Sequence, residues 1–178
     1  GSFMALLKKG DHLLSCNAIF GSTHTVISKY LPKYGIDYSY INTHATEADW
    51  EAAITPNTKM IYIESPTNPG LEILDIAMIS RVAKKHQIIL NVDNCFATPI
   101  GQTPIDLGAD IVVHSATKWI DGQGRVLGGA VVGRKDLIHE MYLFCRSTGP
   151  SMSPFNAWVL SKSLETLEVR MDRHCSNA

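Results

Sequence analysis

The chain has 178 residues, 45% of them hydrophobic, enough for one globular domain with a core of its own. Sixteen basic residues against seventeen acidic ones leave a net charge of −1, and no Lys/Arg cluster runs along a helical face, which argues against a nucleic-acid partner. No apolar run approaches the roughly eighteen residues of a membrane span, no secretory pattern opens the chain, and Cys16, Cys95, Cys145 and Cys175 lack the spacing of a zinc site or a disulfide framework, so the reading is a reduced, cytoplasmic protein.

A helical pattern over residues 3–9 opens the chain. Residues 12–16 read as a strand, 19–31 as a helix stopped by Pro32, and 37–41 as a strand alternating at period two. Thr46 caps a short helix with Asp49 at the reciprocal position of a capping box. Residues 60–63 are apolar and β-prone, and the loop SPTNPG follows them. A helix over 75–86 carries apolar positions at Ile76, Ile79, Val82 and Ala83. Strands follow at 88–93, 110–114 and 128–133. From Ser153, an N-cap before Pro154, one long helix is predicted to the end. Both ends fall inside helical patterns, so the expectation is a piece of a longer protein.

Strand alternating with helix predicts an α/β fold, a mainly parallel sheet with helices on both faces. Ligands collect at the carboxyl ends of the strands in such sheets. Here those ends carry Glu64, Asp93 and the run 114–118, HSATK.

Lys118 taken alone reads as a snorkelling surface lysine. That reading must also explain Asp93 at the end of the preceding strand and the hydroxyls of Ser115 and Thr117 beside the lysine. An amine held at a strand end, partly out of water, can act as a nucleophile and form an imine with an aldehyde. Pyridoxal phosphate needs such a lysine, a carboxylate on its pyridine nitrogen and donors for its phosphate.

The segments KKGDHLL, FGSTHTV, ESPTNP, VDNCFATP, PIDLGADIVVHSATKW and GGAVVG span nearly the whole chain, and with them it resembles the Cys/Met-metabolism family of pyridoxal-phosphate enzymes. That family includes cystathionine γ-synthase, the cystathionine lyases and methionine γ-lyase. Gly122-Gln123-Gly124-Arg125 stands where cystathionine-processing members more often carry a GHSD-like sequence. Together with GPSMSPFNAW it points to the sulfhydrylase branch, in which O-succinylhomoserine and sulfide give homocysteine in methionine biosynthesis. γ- or β-elimination on the same cofactor, as in a cystathionine or methionine γ-lyase, is the alternative within the family. A truncated module that folds and associates without turnover is the alternative of another class, and a nucleotide-binding Rossmann domain is a distant third.

The resemblance implies the large domain of a fold-type I (aspartate aminotransferase-like) transferase over residues 1–178, with the N-terminal arm, the glycine-rich phosphate turn and the small C-terminal domain lying outside them. It implies Lys118 as the cofactor-bearing and acid-base residue and Asp93 as the partner of the pyridine nitrogen. Ser115 and Thr117 would serve the phosphate and Asn68 the phenolic oxygen. Phe20 would stack on the ring, where relatives often have tyrosine. No metal is expected, because the histidines form no ligand set. A tetramer built from dimers is implied for the full-length protein, acting on a small amino-acid substrate. The isolated chain is expected to associate through the apolar positions Trp158, Leu160, Leu164 and Leu167.

Arg125 could meet an acidic substrate group or simply lie at the surface. Glu64 is expected to accept hydrogen bonds rather than catalyse, and His114 and Cys95 to pack. One of the bonds Ser65-Pro66 and Asn68-Pro69 is expected to be cis.

Overall fold

A computed structural model describes residues 1–178. Its six-stranded sheet has the order β2-β1-β3-β4-β5-β6. The strands are β1 (His12–Cys16), β2 (Asp37–Ile41), β3 (Thr58–Glu64), β4 (Ile89–Asp93), β5 (Ile111–Ser115) and β6 (Gly129–Gly133). The first five run parallel, and β6 pairs antiparallel with β5, Val112 facing Val132. The polar chain ends of the parallel strands therefore share one edge. Glu64 and Asp93 are direct neighbours there, in register across β3 and β4.

The helices are α1 (Ser2–Leu6), α2 (Gly21–Thr25), α3 (Glu47–Ala53), α4 (Ile76–Lys85), α5 (Thr98–Gly101), α6 (Lys135–Thr148), α7 (Pro154–Leu164) and α8 (Leu167–Asn177). Successive strand residues point to opposite faces, and β5 shows that both faces are covered. Val112 belongs to the main core with Ile76, Ile79, Val82 and Ala83 of α4, whereas Ile111 packs with Leu137 and Met141 of α6. Leu13, Leu14, Ile61, Ile63, Leu90 and Val92 fill the centre of the sheet, fully out of water.

The strands lie within a residue or two of their predicted bounds. Thr46 and Asp49 form the predicted capping box, and Asp75 caps α4 by accepting the Met78 N–H. Both Ser65-Pro66 and Asn68-Pro69 are cis.

Two expectations need correction, and one helix was not expected. Pro32 does not stop the second helix: α2 continues as a π-helical turn, Val26–Tyr30, and then as a 3₁₀ turn, Leu31–Tyr34, with Pro32 in its first turn. A proline N–H is dispensable there, and Gly35 ends the run at φ 71°. The single helix predicted from Ser153 is two, α7 and α8, broken at Glu165 and Thr166, which alters which apolar positions are buried. Leu160 and Leu167 join Ala116, Ile120 and Met171 in a small core, while Trp158 and Leu164 stay exposed. Finally, α6 carried no expectation, although Leu137 and Met141 stand one turn apart and Gly149 follows at a left-handed φ of 94°.

Candidate active site

The cleft at the polar edge of the sheet measures about 410 Å³ and brings together Phe20, Ser22, Thr23, Tyr62, Asp93 and Ser115. Each arrives for a local reason. Asp93 ends β4, and its Oδ1 accepts the Cys95 N–H at 2.9 Å, so the chain turns immediately after the carboxylate. Its Oδ2 accepts the Tyr62 hydroxyl at 3.1 Å. Phe20 caps α2 with its backbone; its N–H donates to Glu64 Oε2 at 2.7 Å, and its ring remains 48% exposed, free to cover a flat ligand. Ser115 ends β5 in the wall of the cleft.

Lys118 lies on the turn that follows β5, its backbone N–H donating to Ser115 O at 3.1 Å. Its side chain is exposed rather than partly withdrawn from water, and its charge acts on the Cys95 thiol, two residues beyond Asp93. The lysine thus stands beside the carboxylate's strand end, outside the walls of the cleft proper. Thr117 is committed elsewhere. Its hydroxyl donates to Gly128 O at 3.2 Å and accepts the Gly128 N–H at 3.0 Å, pinning the turn to the start of β6. Asn68 is half-buried in the loop after β3 and likewise lies outside the cleft walls.

The electrostatics single out the two carboxylates. Burial raises the Asp93 carboxyl above its ordinary value, against the Cys95 N–H and Tyr62 hydroxyl that lower it. Burial also pushes Glu64 up to about 7; the Phe20 N–H opposes the shift and the charge of Asp93 adds to it. Neither carboxylate takes part in any of the eight ion pairs of the chain. A withdrawn carboxylate without a cation gains most from a ligand that brings one. The protonated ring nitrogen of pyridoxal phosphate is such a cation, and the exposed Phe20 face suits its ring. The residues present fit the cofactor.

Glu64 has a role in stability that can be measured. A carboxyl whose folded-state value is raised contributes stability below its ordinary value of 4.5 and loses it as pH climbs through about 7. Glu64→Gln keeps an acceptor for the Phe20 N–H and removes the titration. Relative to the parent, the variant should therefore gain stability between about pH 5 and about pH 8, by on the order of 2 kcal/mol. Denaturant unfolding at the two pH values measures this; an unchanged difference would show that Glu64 is not titrating in the fold.

His114 is buried in the lining of the cleft, and burial lowers its imidazole. Arg125 is not among the residues that line the cleft. Its guanidinium donates to Asp121 Oδ1 at 3.0 Å, Asp121 O at 3.1 Å and Ser163 Oγ at 2.6 Å. Burial would raise the Asp121 carboxyl, but the Arg125 backbone and guanidinium together hold it below the ordinary range.

The sequence reading missed Tyr62. A tyrosine in the buried run 60–63 of β3 needs a partner for its hydroxyl, and that need was the available signal; the partner is Asp93. Burial, with the charge of Asp93 added, pushes the phenol well above its ordinary value, so it serves as a neutral donor.

Residues 1–178 match the Cys/Met metabolism PLP-dependent enzyme family. The chain belongs to that family. It is 49% identical over 175 residues to the O-succinylhomoserine sulfhydrylase of Pseudomonas aeruginosa, covering 98% of this chain and 43% of that protein. It is 42% identical over 175 residues to the L-methionine gamma-lyase of Porphyromonas gingivalis, covering 97% and 44%. Among solved structures, that of metB from Corynebacterium glutamicum superposes with a TM-score of 0.94 at 42% identity, covering 99% of this chain and 46% of the other. The sheet is thus that of a fold-type I pyridoxal-phosphate enzyme. The chain spans under half the length of the curated relatives it matches.

Proposed function

We propose that the complete protein joins sulfide to O-succinylhomoserine, displacing succinate and giving homocysteine, and that residues 1–178 are its cofactor-binding large domain. The observation that carries this reading is the 49% identity to the Pseudomonas sulfhydrylase across 98% of the chain. The Gly122-Gln123-Gly124-Arg125 loop, in place of a GHSD-like sequence, supports the same branch.

When bound, pyridoxal phosphate supplies the electron sink for carbanionic chemistry next to the amino group. Lys118 would provide the amine for attachment and would afterwards hold and move protons. Asp93, held in place by the Cys95 N–H and the Tyr62 hydroxyl, would keep the ring nitrogen protonated. Phe20 would cover the ring and, having no hydroxyl of its own, would leave proton transfer to Lys118. The Ser115 hydroxyl would serve the phosphate, as would that of Thr117, which here also bonds Gly128. Asn68 would serve the phenolic oxygen. The full-length protein is read as a cytoplasmic tetramer of paired dimers, the exposed Trp158 and Leu164 belonging to surfaces covered in the assembly.

The test is turnover by the complete protein, with O-succinylhomoserine, O-acetylhomoserine, cystathionine and methionine supplied in turn. Sulfide-dependent homocysteine formation, fastest from the succinyl ester, is expected. Elimination from cystathionine or methionine as the faster reaction would replace this reading with a lyase.

A further inference from the structure

The turn that carries Lys118 is closed by two backbone hydrogen bonds, Asp121 N–H to Ala116 O at 2.9 Å and Gly122 N–H to Lys118 O at 2.8 Å. Like any helical turn, it leaves its last carbonyls without partners inside the turn. Arg170, on α8 and 51 residues beyond Trp119, supplies them. Its Nη1 donates to Trp119 O at 2.6 Å and its Nη2 to Ile120 O at 3.1 Å. The guanidinium is itself anchored, Nη2 to Ser163 O at 2.9 Å and Nε to Thr166 Oγ1 at 3.1 Å.

The approach is close. A Cβ on Gly122, at φ +74°, would stand 2.3 Å from Nη1. His174, one turn further along α8, lies against Trp119 with ring centroids 4.6 Å apart. Arg125 grips the turn separately through Asp121, and it too is tied to Ser163. Two cations thus face the carbonyl end of a single turn, where they are electrostatically favoured.

We propose that Arg170 is a positioning residue for Lys118: by holding the Trp119 and Ile120 carbonyls it fixes the turn from which the lysine projects, and so ties the last helix to the cofactor-bearing amine. The inference rests on the reading of Lys118 as the attachment point. Arg170 is not among the residues that line the cleft. It acts by restricting where the amine can be, and misplacement of a reacting group by about 1 Å is enough to lower a rate strongly.

The test uses the complete protein and three perturbations: Arg170→Leu, Arg170→Lys and Gly122→Ala, the last crowding the guanidinium and also straining the turn's backbone at φ +74°. Arg173→Leu, an exposed arginine on the same helix, is the control. Amide exchange at Asp121 and Gly122 should rise about tenfold in Arg170→Leu and Gly122→Ala, with β3 and β4 unchanged. In both, the pH midpoint of the bound cofactor's visible band should move. Arg170→Lys should recover part of each effect, and Arg173→Leu should match the parent. Faster exchange across the whole sheet, or a loosened turn with an unmoved band, would make Arg170 merely structural and overturn the proposal. The two ideas fail separately. A borohydride adduct on another lysine in the parent protein removes the Lys118 reading and this inference with it; an adduct on Lys118 with exchange and band unmoved in Arg170→Leu removes this inference alone.

Discussion

Lys118→Ala is expected to abolish covalent attachment of pyridoxal phosphate and the visible absorbance that accompanies it, while leaving the fold intact. The side chain is exposed, has no ion-pair partner and belongs to none of the core clusters, so its removal costs the fold about 0.5 kcal/mol or less. The turn beneath it is held by backbone bonds and by Arg125 and Arg170, none of which involve the lysine side chain. No other lysine stands at the polar strand ends. Lys162, paired with Glu165 on α7, makes a suitable control, and Lys162→Ala should keep the cofactor. Spectra and intact mass after borohydride reduction check both variants. Retention of a reducible adduct by Lys118→Ala would place the attachment elsewhere.

Asp93→Asn is expected to leave the fold in place and to lower turnover of the complete protein about a hundredfold or more, the scale seen when one aligned electrostatic partner is removed from a reacting centre. Asparagine still accepts the Cys95 N–H through its carbonyl, and its amide can donate to the Tyr62 oxygen, so the local hydrogen bonds can be rebuilt. What is lost is the negative charge, and a neutral amide cannot hold a pyridine nitrogen protonated. Thermal unfolding of the apo-protein should change little while kcat falls. Near-parental kcat would reduce Asp93 to a structural residue.

The contrast between these carboxylates and the arginines shows what a sequence makes legible. Strands β1, β3, β4 and β5 could be read from short apolar runs that end in polar or turn-forming residues, and β2 from its period-two alternation; parallel pairing then put their ends on one edge. Asp93, Ser115 and Lys118 follow from that logic alone. Tyr62 escaped because it sits in the apolar run 60–63 and its hydroxyl finds Asp93 across the sheet, diagonally from the register pair Glu64 and Asp93. Arg125 and Arg170 were illegible for another reason. Their partners are backbone carbonyls, the buried Asp121 and Ser163, brought together only when α7 folds back and the chain breaks at Glu165 and Thr166. A continuous helix, as the pattern predicted, would have left Arg170 at the surface. The Thr117 hydroxyl, read as a phosphate donor from its place beside Lys118, also bonds Gly128 in the fold, a contact that no spacing in the sequence announces.

Attachment of pyridoxal phosphate to Lys118 is tested most directly by reducing the purified complete protein with borohydride in the presence of the cofactor and mapping the added mass by peptide sequencing. One pyridoxyl group is expected on the peptide containing HSATKW, at Lys118, with loss of the visible band. A stable adduct on any other lysine, or a visible band that survives reduction with no added mass on that peptide, would contradict it.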